Sequence, residues 1–166
     1  MKTIILPGYS LRNKDWALEI KKELKDYDVV VHEWQHWTNG SMSLPRELVR
    51  IFKTIGKEKV NIIAKSVGTR VSMSIIAKAG NQINKLILCG IPTRGLSESA
   101  KNNYSPLSEF PDNRVIIFQN INDPFAGYVD IKKFIASIKK KIQVVSKDRS
   151  DHNYHYFEDF EDFLSG

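Results

Sequence analysis

The sequence predicts an α/β protein: a three-layer α/β/α sandwich built on one six-stranded, mostly parallel sheet. Six short β-rich runs recur along the chain, helix-period segments alternate with them, and five of the six runs are nearly continuously apolar. Continuous apolar character is what strands covered on both faces require. Strict alternation of strand and helix implies parallel pairing through right-handed crossovers. At 166 residues the chain is long enough for one domain, residues 1–166, whose core needs neither a disulfide nor a metal in order to fold.

The strands read at residues 3–6, 29–32, 60–64, 85–89, 115–119 and 142–146. The first helix spans 13–25, with Trp16, Ile20 and Leu24 on one stripe, and the second spans 45–55, with Leu48, Ile51 and Phe52. A third follows the 60–64 strand over 67–79, carrying Val71 and Ile75 with Met73 and Ile76 alongside. The fourth spans 127–140, where Ile131, Phe134, Ile135 and Ile138 interleave with Lys132, Lys133, Lys139, Lys140 and Lys141. The last spans 156–164, with Phe157, Phe160, Phe163 and Leu164 on one face. Between 91 and 113 the chain is polar and holds two prolines, which predicts a surface excursion.

Composition narrows the function classes. The net charge of +6 and a pI near 9.3 raise the possibility of nucleic-acid binding. The densest lysine cluster, however, lies at helical spacing against an apolar stripe, which describes a solvated helix face, and no nucleic-acid-binding motif accompanies it. No specific nucleic-acid partner is expected. The single Cys89 fits a reducing compartment, and the apolar opening 4–6, ended by Pro7 and Gly8, is too short for a signal-peptide core or a membrane span. A cytoplasmic protein without membrane attachment follows as the expectation.

In an open α/β sheet, ligands bind beyond the carboxyl ends of the strands. Those ends carry residues 7–10, 32–37, Ser66, 90–93, 120–124 and 149–155, so serine, aspartate and histidine share one rim. Ser66 stands where an apolar strand stops and a helix begins, with Ala64 and Gly68 two residues to either side. A serine held in a strained turn at that place leaves no room for bulky neighbours, so Ala64-x-Ser66-x-Gly68 is a near match to a nucleophile elbow. A serine hydroxyl needs an imidazole to take its proton, and the imidazole needs a carboxylate to fix its tautomer. Asp123 follows the fifth strand and His152 the sixth, and the order Ser66, Asp123, His152 differs from the orders of chymotrypsin and subtilisin. His155, three residues on at the start of the last helix, is the rival base, with packing or exposure the stronger expectation for it.

With these features the chain resembles the α/β-hydrolase superfamily and, within it, the small lid-less serine hydrolases of the retinoblastoma-binding-protein-9 type. Leu6-Pro7-Gly8 after the first strand, Trp16 and Lys22-Glu23-Leu24 in the first helix, the elbow at Ser66, Asn122-Asp123-Pro124-Phe125 and His152 carry the resemblance. It implies a minimal α/β-hydrolase fold without a cap domain, with strand order 2-1-3-4-5-6. It also implies an oxyanion hole from the backbone amides of Val67 and Tyr9. Two positions depart from the pattern: Ala64 replaces glycine, and Lys65 stands where histidine or an acidic residue is common. A Ser-Lys dyad is disfavoured, because adjacent elbow residues point in different directions, and a structural lysine is expected.

Other residues read less sharply. Trp34 and Trp37 follow the second strand, and two readings stand side by side for them: an aromatic, substrate-binding wall or ordinary packing. His32 and His36 flank Glu33 without a third ligand at convincing spacing, so no metal site is expected. Pro7 to Asn13 lacks the later glycines of a dinucleotide fingerprint. The function expected is hydrolysis of a small-molecule carboxylic ester or thioester through an acyl-enzyme, without a cofactor. The alternative is a hydrolase-fold protein, weakly active or inactive, that serves as a protein-binding module.

Overall fold

A computed structural model describes residues 1–139 and 141–166. The strands are β1 (Lys2–Leu6), β2 (Asp28–Val31), β3 (Val60–Lys65), β4 (Ile83–Cys89), β5 (Val115–Asn120) and β6 (Gln143–Lys147). They form one sheet in the order β2-β1-β3-β4-β5-β6, parallel at every pairing among the described residues. This is the order the resemblance implies.

Helices α1 (Asn13–Glu23), α2 (Leu44–Ile55), α3 (Val67–Ala79), α5 (Tyr128–Ile138) and α6 (Phe157–Ser165) alternate with the strands, and a short α4 (Glu98–Lys101) lies after β4. Side chains alternate across the sheet because successive residues of a strand face opposite ways. Ile4, Leu6, Ile62, Leu86, Leu88 and Ile117 pack toward α2, α3 and α5. Ile5, Ile63, Ile87, Cys89 and Phe118 pack toward α1 and α6. Two apolar layers thus enclose the sheet, the three-layer sandwich expected, and no cap domain interrupts it among the described residues.

The segment after β4 corrects the sequence reading. Residues 91–113 were expected to run over the surface, yet Ile91, Tyr104 and Leu107 are fully buried and Phe110 nearly so. After α4 the chain forms a 3₁₀ segment, Asn102–Ser108, in which a repeat near three residues places Tyr104 and Leu107 on one side. Tyr104 shares a 2.7 Å hydrogen bond with Thr69 on α3, which ties this cover to the helix that starts at Ser66.

Helix α5 ends at Ile138, two residues before its expected end. Lys132 and Lys133 are exposed as expected, whereas Lys139 is partly buried, donating to the Phe110 carbonyl and pairing with Asp112 at 3.0 Å. Lys140 lies outside the described residues. Among the described residues no helix is long and apolar enough to cross a membrane.

Candidate active site

Ser66 links β3 to α3 at φ 53°, ψ −118°, and among the described residues it is the one non-glycine with positive φ. Such a conformation costs on the order of 1–3 kcal/mol and persists only where the surroundings enforce it. Here the Ser66 amide donates to the Cys89 carbonyl at 3.0 Å, and the Ser66 carbonyl accepts from the Thr69 amide and hydroxyl. Gly68 is required by close approach: a Cβ there would lie 2.1 Å from the Leu6 carbonyl oxygen. Ala64, fully buried in β3, fits its methyl into the layer facing α3, so the earlier elbow position does without glycine.

Asp123 lies three residues past β5 and is 1 % exposed. Its Oδ1 accepts from the Phe125 amide at 2.8 Å, and its Oδ2 accepts from His152 Nδ1 at 2.6 Å and the Tyr154 hydroxyl at 2.5 Å. Burial alone would raise the Asp123 carboxyl. The donors from His152, Tyr154 and Phe125 outweigh it and hold the group below its ordinary value. The Tyr154 hydroxyl is pushed far up by burial and by Asp123, so it remains a donor.

The histidine loop is held from β5. Asn120 Nδ2 donates to the carbonyls of Asp151 and Asn153 at 2.8 and 2.9 Å, and Asn120 Oδ1 accepts from Tyr156. Under the loop, Gly90 has φ 61°, and a Cβ there would lie 2.7 Å from His152 Cε1. The imidazole therefore rests directly on backbone. The Phe125 ring meets it edge-on at 4.7 Å. His152 Nε2 is buried and, among the described residues, has no hydrogen-bond partner.

Ser66 and His152 line one cavity of about 560 Å³, and Tyr9, Phe125, Trp16 and Lys65 belong to the same wall. His155 also lines it, but its Nδ1 is paired with Glu19 of α1 at 2.8 Å and not with Asp123. Of the two histidines, only His152 is joined to the buried carboxylate.

Val67 is the first residue of α3, whose leading amides have no partner within the helix. The Tyr9 peptide is clamped from behind: its carbonyl accepts from Trp37 Nε1 and His36 Nε2, each at 2.8 Å, and its ring stacks on His36 at 4.2 Å. Trp34 Nε1 donates to the carbonyls of Pro7 and Gly8 at 3.1 and 3.2 Å. Of their two readings, both tryptophans thus follow packing and not the substrate wall. Trp34 is 1 % exposed, and its polar edge, like that of Trp37, is spent on the backbone of the 7–9 loop rather than turned to the cavity. Glu47 anchors their segment in turn, accepting from the Gln35 amide and from His32 Nε2, each at 2.8 Å. His32 and His36 are thereby both engaged by protein groups. Among the described residues no cluster of three or more His, Cys, Asp or Glu could hold a metal ion.

Lys65 is 4 % exposed. Its Nζ donates to Asn13 Oδ1 at 2.8 Å and lies 5.3 Å from the centroid of the Trp16 ring. Burial pushes its ammonium below the usual lysine range, against the smaller opposing pull of the Cys89, Asp123 and Asp151 positions.

Sequence reasoning missed Tyr154, Asn120, Phe125 and Asn13. Tyr154 and Phe125 each lie two residues from a nominated triad member, and that nearness in sequence was the available signal. The roles of Asn120 and Asn13 are contacts across the fold, 31 and 52 residues away in sequence, with no local mark.

No family model matches the chain, and no curated protein matches its sequence. Solved structures do match. A lid-less α/β serine hydrolase from Xanthomonas campestris superposes with a TM-score of 0.65 at 14% identity, covering 99% of this chain and 78% of that one. Mouse alpha/beta hydrolase domain-containing protein 10 gives 0.69 at 13%, covering 99% and 89%, and an esterase from Pyrococcus furiosus gives 0.69 at 15%, covering 99% and 80%. The architecture is the α/β-hydrolase fold, among the described residues in a form without a cap.

Proposed function

We propose that this protein is a serine hydrolase of the small, lid-less type that cleaves carboxylic esters or thioesters through an acyl-enzyme. The observation that carries the reading is the state of His152: Nδ1 is tied to a buried carboxylate, while Nε2, among the described residues, has no partner in a cavity shared with a strained serine. A neutral imidazole that donates from Nδ1 is an acceptor at Nε2. Ser66 Oγ attacks the carbonyl carbon as its proton passes to Nε2. The oxyanion is received by the Val67 and Tyr9 amides, donors of a kind that contributes a few kcal/mol each to the transition state. Collapse expels the alcohol or thiol, which takes the proton from Nε2, and a water deprotonated by the same nitrogen releases the acid. The scheme uses no cofactor.

A fluorophosphonate probe is expected to label the wild type and not Ser66→Ala. A folded wild type that stays unlabelled sinks the hydrolase reading and leaves a binding module in its place.

The cavity mouth also favours small acyl groups. Tyr9 and Phe125 stand about half exposed at its edge, and among the described residues α1 is the one helix that contributes to its lining. In a p-nitrophenyl ester series, catalytic efficiency is expected to peak among acetate, propionate and butyrate and to fall for octanoate. A maximum at long chains would instead implicate the apolar cavity of about 450 Å³ on the far side of Val67, bounded by Met42, Leu44 and Met73.

A further inference from the structure

We propose that Lys65 is a carboxylate anchor in the Ser66 cavity, so that the favoured substrates are esters or thioesters that carry a free carboxylate near the scissile bond. The inference rests on the hydrolase reading for its substrate class, but the anchor itself is a binding site and can be tested without turnover.

A buried ammonium is normally paired with a carboxylate, because removing an unpaired charge from water is costly. Lys14, Lys101, Lys139 and Lys147 each reach a carboxylate at 2.6–3.0 Å, with side chains 24–37 % exposed. Lys65 is far more buried than any of these, yet among the described residues it has no carboxylate within 4.0 Å. The two acidic groups that influence it are already engaged. Asp123 is taken up by His152, Tyr154 and the Phe125 amide, and Asp151 by Arg149.

An ammonium has three N–H donors. The protein gives Lys65 one acceptor, Asn13 Oδ1, and the face of Trp16. Asn13 and Trp16 line the cavity together with Lys65, and Ser66 is the next residue in the chain. Asp15 and Glu19 share that wall, but both are exposed and Glu19 is held by His155, so negative charge lies toward solvent and the cation lies inside. A substrate carboxylate at Lys65 would supply the missing partner and fix the ester relative to the elbow.

The test compares charged esters with neutral isosteres by pH-stat. Monomethyl glutarate against methyl 5-methylhexanoate places the carboxylate on the acyl side, and 3-acetoxypropanoate against isopentyl acetate places it on the alcohol side. The wild type is expected to prefer the charged member of at least one pair in kcat/KM by roughly tenfold to a hundredfold, the range of a charge-assisted hydrogen bond. In Lys65→Met that ratio is expected to collapse to about one, and Lys65→Gln is the second variant should the first fail to fold. In parallel, calorimetry on Ser66→Ala should detect monomethyl glutarate, with affinity at least about tenfold weaker once Lys65→Met is added. Ester hydrolysis with no charged preference, or a preference that survives both Lys65 variants, overturns the anchor while leaving the hydrolase intact. Lys65-dependent binding in a protein that hydrolyses nothing supports the anchor and removes the hydrolase. Absence of both preference and binding overturns the anchor.

Discussion

His152→Ala is expected to lose ester hydrolysis by several orders of magnitude, on the order of 10⁴-fold or more in kcat, while His155→Ala keeps most of it. The two imidazoles line the same cavity, so proximity to the serine does not separate them. Their partners do. Nδ1 of His152 is bonded to a carboxylate that is 1 % exposed, whereas Nδ1 of His155 faces Glu19, whose side chain is 52 % exposed. A carboxylate out of water orients an imidazole and stabilises its cation far better than one screened by solvent. The stability cost of His152→Ala is expected to be small, because Asp123 retains its bonds from Tyr154 and the Phe125 amide. A melting temperature within a few degrees of wild type, measured beside kcat and KM, would show that chemistry was removed and not structure. If His155→Ala is the inactive variant and His152→Ala turns over, the base role passes to His155.

The parallel sheet was legible because burial on both faces leaves its mark on nearly every strand residue. Residues 115–119 and 60–64 are apolar almost without interruption, and β5 and β3 extend one residue beyond those limits. The candidate site was legible for a related reason: strand ends are easily found, and the rim rule then groups Ser66, Asp123 and His152 as candidates. What escaped was packing carried by residues that look polar or solvent-bound in sequence. Tyr104, Leu107 and Phe110 follow a three-residue period, yet they sit among Asn, Ser, Glu and Pro, so the segment read as surface. Trp34 and Trp37 stayed open between wall and packing because an indole N–H says nothing about its acceptor. Here the acceptors are backbone carbonyls of a loop more than 25 residues away. Lys65 was read as a structural lysine, but its lack of a carboxylate partner among the described residues is a property of the folded chain alone.

Asp123→Asn carries the second large effect, and hydrogen-bond accounting predicts its form. The Oδ2 position accepts from two donors, His152 Nδ1 and the Tyr154 hydroxyl, while Oδ1 accepts from the Phe125 amide. An asparagine that keeps its oxygen on the Phe125 amide turns an NH₂ toward His152. Nδ1 must then accept, the proton moves to Nε2, and the nitrogen proposed as the base can no longer take a proton. The expected loss in kcat is on the order of 10⁴-fold, with substrate binding little changed. Stability supplies an independent reading. Because the folded Asp123 carboxyl is depressed, its contribution is complete above the unfolded value near pH 4 and is lost as pH falls through the lower folded value. The stability gap between wild type and Asp123→Asn is therefore expected to be widest near neutrality and to narrow on acidification below about pH 5, as read by urea unfolding across pH. An Asp123→Asn protein with near-wild-type kcat would remove Asp123 from the proton-transfer chain. A gap that stays constant down to pH 3 would show that the carboxylate's charge contributes nothing to the fold.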